Sequence, residues 1–161
     1  MTSHPSSSRA QQLAEVELVE SVSDSIGVTL APASLRIGSD ATIQVDGYSE
    51  TGRVICEAYV RMGQLKAGHK RKLTTDLFKL VLAERLLEGD WRKIVVVSGK
   101  ESHIWLTGSS WQALAAQEFG IEVRRMELAD KTEATVLAAQ SDQRMTNAAT
   151  LTPNPGDRAN G

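Results

Sequence analysis

The chain has 161 residues and a formal net charge of −2, with 41% hydrophobic and 24% charged residues. That composition fits a soluble globular protein with one modest core and argues against an obligate polyanion binder. A single cysteine, Cys56, excludes an intramolecular disulfide and a multi-cysteine zinc site and fits a reduced compartment. The opening "MTSHPSSSRAQQ" has no apolar signal-peptide core, and the longest purely apolar run, "IVVV", is far short of the roughly 20 residues that span a bilayer, so a cytoplasmic location without a membrane partner is expected.

Residues 1–8, rich in Ser with one Pro, are expected to form a disordered leader. From about Arg9 to Ile26, Leu13, Val16, Val19, Val22 and Ile26 recur at three- and four-residue steps, which predicts an amphipathic helix closed by Gly27. After Pro32, "SLRIG" fits a short edge strand. Residues 41–62 then show the cleanest period-two pattern in the chain, the signature of a half-buried antiparallel hairpin. A turn centred on Glu50 and Thr51 puts Ile43, Val45, Val54, Cys56, Ala58, Val60 and Met62 on one face. The other face collects Gln44, Asp46, Tyr48, Arg53, Ile55, Glu57, Tyr59 and Arg61. Glu57 then lies opposite Gln44 and diagonal to Asp46, about 7 to 8 Å apart at the backbone, a separation that two carboxylates can close onto one cation. An amphipathic hairpin also places acids on its wet face for solubility alone.

A long helix is predicted from about Gly68 to Glu88, with Leu73, Leu77, Leu80, Val81 and Leu87 on its buried side. Lys72, Asp76 and Lys79 fall together on another face. "KIVVVS" (93–98) is a continuous apolar run, the mark of a strand covered on both sides. The following "SGKES" lacks the spacing of a phosphate-binding loop and reads as a strand-to-loop turn. "SSWQALAAQEFG" predicts a Ser-capped helix ended by Gly120, and "IEVRRMEL" another strand, which together imply a right-handed parallel crossover. Residues 130–161 are expected to be largely disordered, with a short helix at 131–140, leaving a single folded domain over 9–129.

Single residues of reactive type are less informative. Cys56 on the apolar face reads as a small hydrophobe, and neither His69 nor His103 has a second ligand at metal spacing. Trp91, Trp105 and Trp111 read as core edge. Charge is more telling: between Thr51 and Lys72 six basic residues, Arg53, Arg61, Lys66, Lys70, Arg71 and Lys72, stand against one acid, Glu57. Such an excess suits a phosphate backbone, although a solvated loop leading into a polar helix start gives the same run.

"VDGYSETGRVICEAYVR" (45–61) followed by "KRKLTTDLFKLVL" (70–82), within the order helix, antiparallel strands, helix, parallel strand, helix, strand, resembles the core of the PD-(D/E)XK nuclease superfamily. The resemblance implies a restriction-endonuclease-like α/β fold in which an antiparallel hairpin joins a parallel strand-helix-strand unit flanked by helices. It further implies a Mg2+- or Mn2+-dependent phosphodiesterase acting on nucleic acid, DNA foremost, with Asp46 and Glu57 as metal ligands. The family's motif lysine, two residues after the Glu, is Tyr59 here, and Lys72 or Lys79 from the following helix would replace it. Glu15 or Glu20 of the first helix would be further ligands, but both read as solvent-facing helix residues. Arg61 would clamp a phosphate, with Arg53, Lys66, Lys70 and Arg71 contacting the backbone. The alternative is a catalytically inactive nuclease-fold module that binds DNA or a protein partner. A homo-oligomer or a partner subunit fits the small size.

Overall fold

The computed structural model describes residues 5–151. In chain order the elements are α1 (Pro5–Ile26), β1 (Ala31–Ile37), β2 (Ala41–Ser49), β3 (Val54–Tyr59), α2 (Ala67–Leu86), β4 (Arg92–Val97), α3 (Lys100–Thr107), α4 (Trp111–Glu118), β5 (Ile121–Arg125) and α5 (Asp130–Leu151). The strands form one open sheet in the order β1-β2-β3-β4-β5. Its first two pairings are antiparallel and its last two parallel, so the predicted α/β class, with a hairpin feeding a parallel unit, is the observed one.

Two apolar clusters cover the two faces of this sheet. On one, Ala14, Leu18 and Val22 of α1 and Val136 of α5 pack on Val54, Cys56, Ala58, Val60, Ile94 and Val96. On the other, Leu73, Leu77 and Leu80 of α2, Leu106 of α3 and Ala116 of α4 pack on Ile55, Tyr59, Val95 and Val97. Successive strand residues point to opposite faces, so β3 and β4, central in the sheet, are buried on both. The expectation of a half-buried hairpin therefore fails for β3. Its partner β2 lies one place from the edge, and its N-terminal half is partly exposed.

The register also differs from the expected one. The turn spans Glu50–Arg53, with Arg53 N–H donating to the Glu50 carbonyl at 3.2 Å, and Gly47 stands opposite Cys56. The pairing is thus shifted by two residues, and Asp46 and Glu57 are the next residues beyond its last pair, Gly47 and Cys56. A bulge in β2 changes the faces there: between Ala31 and Ala33 of β1 the partner jumps from Tyr48 to Val45. Ile43 and Val45 consequently join Ile55 and Tyr59 on the α2 side rather than Val54 and Cys56 on the α1 side.

Helix α1 begins at Pro5, so residues 5–8 belong to it; the rest of the expected leader, 1–4, lies outside the described residues. Its buried stripe runs through Ala10, Ala14, Leu18 and Val22, whereas Leu13 and Val16 are 59% and 46% exposed. In place of the expected short helix within a disordered tail, α5 continues for 22 residues and packs on α1. The Gln140 side chain holds Met62 from both sides, accepting from its N–H and donating to its carbonyl, each at 3.0 Å. Residues 152–161 lie outside the described part of the chain. The turn read at "SGKES" is short: Gly99 is already the N-cap of α3, which starts at Lys100. Among the described residues no helix is long and apolar enough to cross a membrane.

Candidate functional site

The β2–β3 ladder runs from Ser49–Val54 to Gly47–Cys56 and stops there. Beyond it, the Ala58 N–H donates to the side-chain Oδ2 of Asp46 at 2.9 Å, so a carboxylate replaces the strand backbone where β2 peels away. Gly47 allows the departure: a Cβ at that position would stand 3.0 Å from Val19 and 3.1 Å from the Cys56 Cβ. The bulge thus fixes both the direction of Asp46 and the close approach of β2 to α1.

Glu57, next along β3, is 1% exposed and is not a surface acid. Its Oε1 stands 2.7 Å from the Nζ of Lys79 but off the line of a hydrogen bond, which makes the contact an ion pair without hydrogen-bond alignment. Burial first, then the charge of Asp46, raises the Glu57 carboxyl to about 8 against the pull of Lys79. Lys79 is one of two lysines that α2 presents here. The other, Lys72, pairs with Asp76 Oδ1 at 2.5 Å. Asp76 is fully buried, its Oδ2 has no hydrogen-bond partner, and burial raises its pKa although both lysines draw it down.

Glu15, expected on the solvent face of α1, is half-buried in a cleft of about 140 Å³ that it lines with Gln12, Val16, Val19, Pro32 and Asp46. Burial and then Asp46 lift its pKa to about 7. Its place one turn before Leu18 and Val19, on the stripe that turns inward, is the sequence signal that would have found it. Glu20 is exposed, as expected. Tyr59, at the position of the resemblance's motif lysine, is packed in the core, and burial pushes its phenol up to about 12.

The basic residues divide. Arg61 lies two residues past the end of β3, its N–H donating to Ser98 Oγ at 3.1 Å, and its Nε is buried without a hydrogen-bond partner. Lys66 caps α2, where its N–H donates to Nδ1 of His69 at 3.0 Å. Lys70 places its ammonium 5.8 Å from the centre of the Trp105 ring, and Lys66, Lys70 and Arg71 are all exposed. These four gather where β3 ends and α2 begins. Arg53 does not join them: it sits in the β2–β3 turn, eight residues before Arg61 along a nearly extended chain, about 25 Å away. Trp91 is buried and stacks on Tyr48 at 5.4 Å, but Trp111, expected at the core edge, is 66% exposed.

Asp46 and Glu57 are hard oxygen donors. Among the described residues no three His, Cys, Asp or Glu side chains come together as a complete metal cage. Comparison of the chain with protein-family models, with curated proteins and with solved structures gave no match.

Proposed function

We propose that the protein is a restriction-endonuclease-like, PD-(D/E)XK-type phosphodiesterase that uses Mg2+ or Mn2+ to hydrolyse nucleic acid. The observation that carries this reading is the placement of Asp46 and Glu57 at the point where β2 leaves β3, with the Lys79 ammonium 2.7 Å from Glu57. A buried acid without an aligned hydrogen bond and a half-exposed acid beside it fit a divalent cation that keeps several waters and takes one or two carboxylates. Asp46 and Glu57 would hold the ion, with Glu15 at the cleft wall. A bound ion would supply Lewis-acid stabilisation of phosphoryl charge and an acidified water.

The chain's own groups supply the rest. Lys79 comes from α2 and takes the part that Tyr59, buried and neutral, cannot take. Lys72, 52% exposed at its side chain and anchored by Asp76, faces outward, where a substrate phosphate would approach. Arg61, Lys66, Lys70 and Arg71 form a basic rim suited to a phosphate backbone.

A second reading, a nuclease-fold module that binds DNA or a protein partner without cleaving, is favoured by Tyr59 in place of a lysine. One experiment separates the two: cleavage of plasmid and single-stranded DNA in Mn2+ by wild-type protein and by the Asp46→Asn/Glu57→Gln double variant. Metal-dependent cleavage that the double variant abolishes is the expected result. Folded wild-type protein that neither cleaves nor gains melting temperature with Mn2+ leaves the binding module.

A further inference from the structure

Asp76 is anomalous if α2 merely contributes two lysines to the site. It is fully buried, it gives one oxygen to Lys72, and its Oδ2 has no partner. An unsatisfied buried carboxylate oxygen is costly unless another state of the protein satisfies it. Lys79 lies three residues further along the same helix, so the two side chains are neighbours on one face. Among the described residues the only ion pair of Lys79 is with Glu57 Oε1, which is also an oxygen that a cation would need.

Building on the metal-dependent reading above, we infer that Asp76 is a positioning residue, the second seat of Lys79, which leaves Glu57 Oε1 for Asp76 Oδ2 when a divalent cation binds. In the metal-free protein the ammonium rests against the buried Glu57 carboxyl at Oε1. A cation held by Asp46 and Glu57 would take the place of the ammonium at Oε1 and repel it, and the ammonium is free to move on its flexible four-carbon stem. Asp76 Oδ2 receives it within the same turn of helix and keeps its positive charge at the mouth of the site. Lys72 meanwhile stays on Oδ1, so one carboxylate holds both lysines.

The test is a double-mutant cycle on Mn2+ affinity by calorimetry, with no catalysis in the readout. Asp76→Asn offers one uncharged acceptor, already taken by Lys72, and is expected to weaken Mn2+ binding about tenfold, the scale of one hydrogen bond to a charged group. In a Lys79→Met background the same substitution is expected to cost at least fivefold less. Equal losses in both backgrounds would mean that Asp76 acts only as a distant charge and would overturn the inference. If Asp76→Asn fails to fold, a crystal structure of the Mn2+-loaded wild-type protein decides. The Lys79 ammonium within about 3 Å of Asp76 Oδ2 is expected, and an ammonium still on Glu57 refutes the switch. No Mn2+ binding to wild-type protein overturns this inference and the metal-dependent reading together, whereas binding without coupling overturns this inference alone.

Discussion

At Glu57 a carboxyl group occupies the middle of a central strand, 1% exposed, with one lysine for company. Its pKa is raised to about 8 by burial and Asp46, and that of Glu15 to about 7 by the same two causes, from 4.5 in each case. The folded protein therefore binds more protons than the unfolded chain between these values, and the sign of the linkage follows. Stability contributed by the protonated acids is complete below about pH 4.5 and disappears as pH rises towards 8, on the order of 5 kcal/mol for Glu57. In metal-free buffer the urea midpoint is expected to fall steadily from pH 5 to 8. Glu57→Gln, which cannot ionise, should flatten most of that fall. A divalent cation reverses the logic because it binds the ionised form, so the rise in melting temperature with Mn2+ should be larger at pH 8.5 than at pH 6. A wild-type midpoint that stays level over this range would show that Lys79 outweighs burial and that Glu57 is ionised throughout.

Among the elements, β2 shows how far the sequence is legible and where it stops. The strands, the helices α2 and α4 and the parallel unit all follow from periodicity, and Ser110 caps α4 through its Oγ as the sequence predicts. The bulge at Asp46–Gly47 has no signature in a period-two pattern, because one extra residue matters only against a partner strand. For helix α1 periodicity places the element but not its buried face, since Ala10 and Ala14 weigh little on a hydrophobic scale yet let the helix lie close to the sheet. Polar α5 has the composition of a tail because its anchors are not apolar: Gln140 grips Met62, Thr132 donates to Glu17 at 2.5 Å, and Val136 is the buried residue of its first half. Two predictions belong at this scale. Gly47→Ala drives a methyl to 3.0 Å from Val19 and is expected to cost about 1 to 3 kcal/mol in denaturant unfolding, since overpacking displaces α1 or β2. Gln140→Ala removes two hydrogen bonds to Met62 and should cost about 1 to 3 kcal/mol, with faster amide exchange at Met62 marking the loosened segment. Unchanged exchange there would mean that α5 merely lies over that segment.

For the molecule as a whole, a net charge of −2 conceals a separation of charge along the sheet. Glu15, Asp46, Glu57 and Asp76 cluster around the point where β2 and β3 part, and their charges act on one another. Arg61, Lys66, Lys70 and Arg71 stand beyond them where β3 ends and α2 starts, and burial first, then the charge of Arg144 of α5, disfavours the charge of Arg61. A polyanion drawn to that rim would meet repulsion at the carboxylates unless cations were present, so nucleic-acid affinity is expected to depend on divalent metal as well as on salt. On duplex DNA every phosphate that a cationic side chain neutralises adds about 0.9 to the steepness of log affinity against log salt. Lys66→Ala/Lys70→Ala/Arg71→Ala should therefore lower that slope by about 2 to 3 and weaken binding at every sequence alike, because phosphate groups carry no base identity. Arg53→Ala, at the far end of β3, should change neither. Fluorescence anisotropy with a labelled duplex at several salt concentrations measures both, and a slope that the triple substitution leaves intact would move the nucleic-acid surface away from the start of α2.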